Sequence, residues 1–131
     1  MSQISVLPKI RVTCAGGSAG TSSGQTDTER QILGEIEGFL LKYSATPAST
    51  IDTQIDTLGA DGLPGYQILK LTDNVTDGLF LVRKLPVSTA GAALSSDDSL
   101  PIPVMDKLKC TLAQGNVGDY VDIWTFYRPS D

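Results

Sequence analysis

The chain has 131 residues, 15 acidic and 10 basic, for a formal net charge of −5, and it contains no histidine. That length suits one domain able to bury about two thirds of its surface. The missing imidazole removes the commonest general base, the commonest zinc nitrogen ligand and every nucleophile–histidine triad. An acidic balance with no basic cluster argues against nucleic acid, whose phosphates must be neutralised by Lys and Arg. No apolar run approaches the roughly 20 residues that span a bilayer, so no membrane partner is expected.

The first residues, Ser2 to Leu7, are apolar enough (Ile4, Val6, Leu7) to serve as an extended arm within positions 1–9. Pro8, Lys9 and Arg11 interrupt the apolar run that a secretory signal needs. They also argue against reading Val12-Thr13-Cys14 as a lipoprotein cleavage site. Ile10 to Ala15 alternates Ile10, Val12 and Cys14 with Arg11 and Thr13, the period of a strand with one buried face. Positions 16–30 then read as a long polar loop. Gly16, Gly17, Gly20 and Gly24 lack dinucleotide-binding spacing, and no Gly-Lys-Ser/Thr follows.

Gln31 to Ser44 is ambiguous. Ile32, Leu33, Ile36, Phe39, Leu40 and Tyr43 would line one side of a helix, but Gly34 and Gly38 would each cost that helix about 1 kcal/mol relative to Ala. As a strand it sets Glu35, Glu37, Phe39, Leu41 and Tyr43 against Gly34, Ile36, Gly38, Leu40 and Lys42, which is no cleaner. The strand is the reading adopted, because the rest of the chain is strand-like.

Thr50 to Thr57 is rich in β-branched residues, Gly62-Leu63-Pro64-Gly65 is a turn, and Tyr66 to Thr72 is a strand. Asp77-Gly78 carries hairpin chemistry and leads into Leu79 to Lys84, so these two strands are expected to pair. Positions 85–99 form a second long polar loop. Pro101 and Pro103 confine the piece between them to a sheet edge or to no sheet. Lys107 to Ala113 turns Leu108, Cys110 and Leu112 one way. After the turn Gln114 to Gly118, Asp119 to Tyr127 sets Val121, Ile123, Thr125 and Tyr127 against Tyr120, Asp122, Trp124 and Phe126. Core packing is expected of Trp124 and Phe126, and a rim or partner contact of Tyr127 with Arg128. Seven or eight short strands without a helix predict an all-β, single-domain antiparallel β-sandwich or jelly-roll-like barrel with long polar loops.

Carboxylates are the one enzyme-like feature. The pairs Asp73/Asp77, Asp97/Asp98 and Asp119/Asp122 sit among turn-forming residues, and nothing in the sequence sets a pair across a cleft as acid–base chemistry requires. Asp73 to Gly78 opens like a calcium loop, but Val75 stands where an oxygen ligand is required and the closing Glu is missing. Asn74-Val75-Thr76 is a glycosylation sequon without a secretory context. Cys14 and Cys110 read as buried thiols of a reducing compartment, although sequence leaves their pairing open. The chain is therefore read as non-enzymatic, with no cofactor, no metal and no small-molecule substrate.

From Tyr66 to Tyr127 the chain resembles small structural proteins of tailed bacteriophages. The resemblance rests on a strand ending Leu71-Thr72-Asp73, a strand ending Leu81-Val82-Arg83-Lys84, and a loop with Gly91-Ala92-Ala93-Leu94. It continues through Ile102-Pro103-Val104-Met105-Asp106, a turn at Ala113-Gln114-Gly115 and an aromatic last strand. The N-terminal half is similar only in its long strand with Gly34 and Gly38. The resemblance implies a capsid cement, or decoration, protein of the virion surface, made in the host cytoplasm. It would bind the major capsid protein lattice and copies of itself, as a homo-oligomer such as a trimer. Contacts are expected from Ile4, Val6, Leu7 and Arg11 and from Trp124, Tyr127 and Arg128. The alternatives are a neck, tail or fibre component, or a carbohydrate-binding sandwich using Trp124, Tyr120 or Tyr127 as a stacking platform.

Overall fold

A computed structural model describes residues 3–82 and 102–130. The expected loop at 85–99, with Asp97 and Asp98, lies outside them. The described residues form ten strands: β1 (Ser5–Val6), β2 (Ile10–Thr13), β3 (Ser22–Asp27), β4 (Ile32–Tyr43), β5 (Asp52–Thr57), β6 (Gln67–Leu71), β7 (Gly78–Leu81), β8 (Ile102–Asp106), β9 (Leu108–Gly115) and β10 (Tyr120–Pro129). The only helical piece among the described residues is a 3₁₀ turn, Ala60–Gly62. The protein is all-β, as the sequence predicts: two antiparallel sheets face each other as a sandwich and do not close into a barrel.

The first sheet has β10 and β4 at its centre. β1 and β2 pair with the outer side of β10, and β7 and β8 with the outer side of β4. The second sheet runs β3–β9–β5–β6. Between them lies the core, where Val12, Ile32, Ile36, Phe39, Leu41, Val104, Val121 and Ile123 of the first sheet meet Ile55, Leu108, Cys110 and Leu112 of the second. Both cysteines are buried and free. Burial in this apolar layer, which disfavours a thiolate, pushes the Cys110 thiol up to about 12.

The expected pairing of the strands either side of Asp73–Asp77 does not occur. β6 pairs with β5 in the second sheet and β7 with β4 in the first, so the segment between them crosses the sandwich. A tight Asp-Gly hairpin is displaced because Asp77 Oδ1 accepts the Tyr43 N–H at 2.7 Å, anchoring the crossing chain to the end of β4. The expected loop at 16–30 also contains a strand. β3 pairs with β9, and an Ala15–Ser23 bridge ties it to the end of β2. Gly24 makes this edge: a Cβ there would lie 2.0 Å from the Thr13 carbonyl oxygen. Thr26 Oγ1 donates to the Arg11 carbonyl at 2.9 Å, and the sandwich is shut along that side.

The strand reading of the segment from Gln31 holds: β4 runs 12 residues. Its mixed pattern has a physical cause. Phe126 pairs with Gly38 but Tyr127 with Ile36, so Glu37 is an extra residue, a β-bulge that reverses the facing of everything before it. Ile32 and Ile36 point inward on one side of the bulge, and Phe39, Leu41 and Tyr43 on the other. Between Pro101 and Pro103 the edge expectation also holds, since β8 pairs only with β4 among the described strands.

Candidate functional site

Of the carboxylates flagged in the sequence, Asp77 and Asp119 accept backbone N–H groups and Asp122 pairs with Arg11, while Asp97 and Asp98 lie outside the described residues. Asp119 Oδ2 accepts the Ala48 N–H at 2.9 Å and the Asn116 N–H at 2.8 Å, pinning two loops together. Asp73 lies with its N–H donated to Asp52 Oδ1, and Asp77 holds β4. Asp106, which sequence reading passed over, is buried and accepts from Gly59, Ala60 and Lys107 N–H groups at 2.6, 3.2 and 2.7 Å. These bonds satisfy a charge that burial would otherwise penalise. Among the described residues no three of Cys, Asp and Glu gather as metal ligands would.

The two outer faces of the sandwich differ in chemistry. On the second sheet, register aligns Gln25, Thr111, Gln54 and Lys70 in one cross-strand row and Asp27, Lys109, Asp56 and Gln67 in the next. This is a solvated face. On the first sheet, one row reads Val6, Phe126, Gly38 and Leu81, and the next reads Trp124, Leu40 and Leu79. Past the Glu37 bulge, Leu33 stands beside Met105. Leu81 is 68% exposed, Met105 65%, Leu79 56%, Leu33 51% and Val6 50%. Scattered exposed leucines are ordinary, but a contiguous apolar sheet face marks a surface made to be covered.

Charges on this face are mostly consumed within it. Arg11 grips Asp122 through Nε to Oδ1 at 2.7 Å and Nη2 to Oδ2 at 3.0 Å, with its guanidinium 3.8 Å above the Tyr120 ring. This bidentate bond holds the Asp122 carboxyl below the ordinary carboxylate range. Lys42 continues the Arg11–Asp122 row, and Arg128 Nε pairs with Glu37 Oε1 at 2.6 Å.

The residues expected to make contacts divide by facing. Val6, Arg11, Trp124 and Arg128 share the outer side of the first sheet, and Ile4 is exposed just before β1. Leu7 is not part of a free arm. Its N–H donates to the Thr125 carbonyl at 2.9 Å and its side chain is buried, because β1 and β2 form one edge bent at Pro8. Tyr127 turns inward against the core, and Trp124 and Phe126 turn outward. The core expectation for that pair is thus reversed: Val121, Ile123 and Thr125 already fill the inner side. Sequence reading missed Leu33, Leu40, Leu79, Leu81 and Met105. The alternation of exposed Leu79 and Leu81 around Phe80 was the available signal.

Around the β8 edge the apolar surface runs into a cleft of about 390 Å³ lined by Leu63, Pro64, Tyr66, Pro103 and Met105. There the Tyr66 hydroxyl donates to the Pro103 carbonyl. Trp124 has Leu40 and Leu79 for row neighbours, and the next row on the same face holds Arg11, Asp122 and Lys42. No family model, curated protein or solved structure matches the chain.

Proposed function

We propose that this protein is a non-enzymatic structural component that docks onto a larger protein assembly through the outer face of its β1/β2–β10–β4–β7/β8 sheet. The observation that carries the reading is the pair of cross-strand rows Val6–Phe126–Gly38–Leu81 and Trp124–Leu40–Leu79 on one face, with Val6, Leu40, Leu79 and Leu81 exposed and Phe126 and Trp124 half-buried, while the opposite face is Gln, Thr, Asp and Lys. Rigid aromatic and aliphatic side chains on a pre-formed sheet give contact area at small entropic cost, and charges already paired within the face need no new partners. Such a face suits permanent contact better than transient chemistry.

The phage-like pattern from Tyr66 to Tyr127 supports a setting, namely the major capsid protein lattice of a tailed phage head, with this chain as cement. The test is to add purified protein to undecorated shells and follow co-sedimentation and shell melting. Binding and a raised shell melting temperature are expected. Trp124→Ala and Leu40→Lys, both on the outer face, should each weaken binding at least about tenfold, the loss of one interface anchor. The polar-face change Gln54→Ala should leave it unaltered. Shells that neither bind the protein nor gain stability refute the cement assignment. Binding that ignores Trp124 and Leu40 refutes the assignment of the face.

A further inference from the structure

β7 is an edge strand of a different kind from the other edges. β2 and β3 close on each other through Gly24, Thr26 and the Ala15–Ser23 bridge. β8 carries Pro103, which has no N–H, and that residue's carbonyl is taken by Tyr66. β6 carries the exposed Lys70, a charge of the kind that blunts edges. β7 reads Gly-Leu-Phe-Leu, with no charge and no proline, and among the described strands it pairs on one side only, with β4.

The hydrogen-bond phase of that edge follows from one contact. Val82 N–H donates to the Glu37 carbonyl at 3.3 Å, and the register sets Leu81 opposite Gly38 and Leu79 opposite Leu40. Bonding alternates along an antiparallel pair, so Gly78, Phe80 and Val82 bond toward β4. Leu79 and Leu81 therefore turn their N–H and C=O groups to the free side, with their side chains exposed on the apolar face.

We propose that this edge pairs with the β7 of a second copy, antiparallel about a two-fold axis at Phe80. Leu79 of each copy then lies opposite Leu81 of the other, and the four free N–H and C=O pairs form four hydrogen bonds. A strand edge needs another open edge, and the β7 of a second copy matches it in length, phase and lack of charge; the other uncharged edge among the described strands, β1, offers only two residues. The outer face of the second sheet, by contrast, carries Asp27 and Asp56 beside Lys109 and Lys70, a mixed-charge surface suited to solvent. Gly78 to Val82 brings no like charges together. The pairing lays two first sheets edge to edge and doubles one continuous apolar face. It is two-fold, where the phage resemblance implies a trimer, and it holds whatever that face docks on.

The test is sedimentation equilibrium of the full chain, with amide exchange read by NMR. A concentration-dependent dimer is expected, in which the Leu79 and Leu81 amides gain protection as dimer forms. Leu79→Lys/Leu81→Lys should return the mass to monomer and remove that protection, while Phe39 and Leu41 amides stay protected and report an intact fold. A monomer at every concentration overturns the proposal. So does a trimer, or a dimer in which the Leu79 and Leu81 amides exchange freely. Shell binding by the monomeric variant leaves the docking assignment standing while showing that pairing is not needed for it.

Discussion

Asp122 shows how a single residue sets a condition on the fold. Its side chain is 8% exposed, and it is held by Arg11 and more distantly by Lys9 at 3.9 Å. Because the hydrogen bond from Arg11 lowers its folded pKa below the ordinary value near 3.8, the carboxylate form favours folding. That contribution is fully present above the unfolded pKa and is lost as pH falls through the lower, folded one. Denaturant midpoints measured from neutral pH downward should therefore hold level as far as Asp122 is concerned, then fall below about pH 4, the unfolded carboxylate value. In Asp122→Asn the midpoint should start lower at neutral pH and fall less steeply in acid. An unchanged acid limb in that variant would show that Asp122 does not carry the effect. The residue types were legible in sequence, but the pairing was not: Arg11 and Asp122 lie 111 positions apart, and only register brings them together.

Among the elements, β4 reads as a strand because the rest of the chain is strand-like and Gly34 and Gly38 count against a helix, yet its facing is not recoverable by alternation, because alternation fails at Glu37. Gly34 has its own reason: a Cβ there would sit 2.0 Å from the Arg128 carbonyl oxygen, where β10 crosses closest. The bulge can be tested by deleting Glu37. Deletion removes the extra residue, so Ile36 comes directly before Gly38, simple alternation is restored, and Ile32 and Ile36 stay inward, each keeping about 1.5–3 kcal/mol of burial. Cooperative thermal unfolding, followed by circular dichroism, should be kept in the deletion as in Glu37→Ala. A deletion variant that no longer unfolds cooperatively would mean that Glu37 is not the extra residue. The β6–β7 hairpin expectation failed for a related reason. Asp-Gly is a strong local signal, but in a two-sheet fold the same turn chemistry serves to cross between layers, and the Asp77–Tyr43 bond decides between the two.

At the scale of the molecule, composition and period gave the class of fold, since strands with half-apolar faces and no helix leave few alternatives. They did not give the docking face. Each strand alone looks ordinary, with one apolar side inward and a few apolar residues on the other. The apolar rows exist only across strands, assembled from β1, β10, β4 and β7, which are scattered through the chain. That is also why Trp124 was assigned to the core: an aromatic residue on a strand is usually an inner residue, and here the inner side was already full.

Among the described strands only β5 and β6 are neighbours both in sequence and in a sheet; the others pass to the opposite sheet or to another edge before pairing. β2 finds its partner in β10, the last strand of all. During synthesis, then, β1 and β2 have no strand to zip onto until the ribosome has delivered β10, and a nascent chain carries an unsealed sheet for most of its translation. Loop-closure entropy must be met before these distant contacts reward it, which places refolding in the milliseconds-to-seconds range of all-β sandwiches. Stopped-flow fluorescence of Trp124, which sits on that late strand, should show this as a slow phase. A microsecond phase carrying the full amplitude would contradict it.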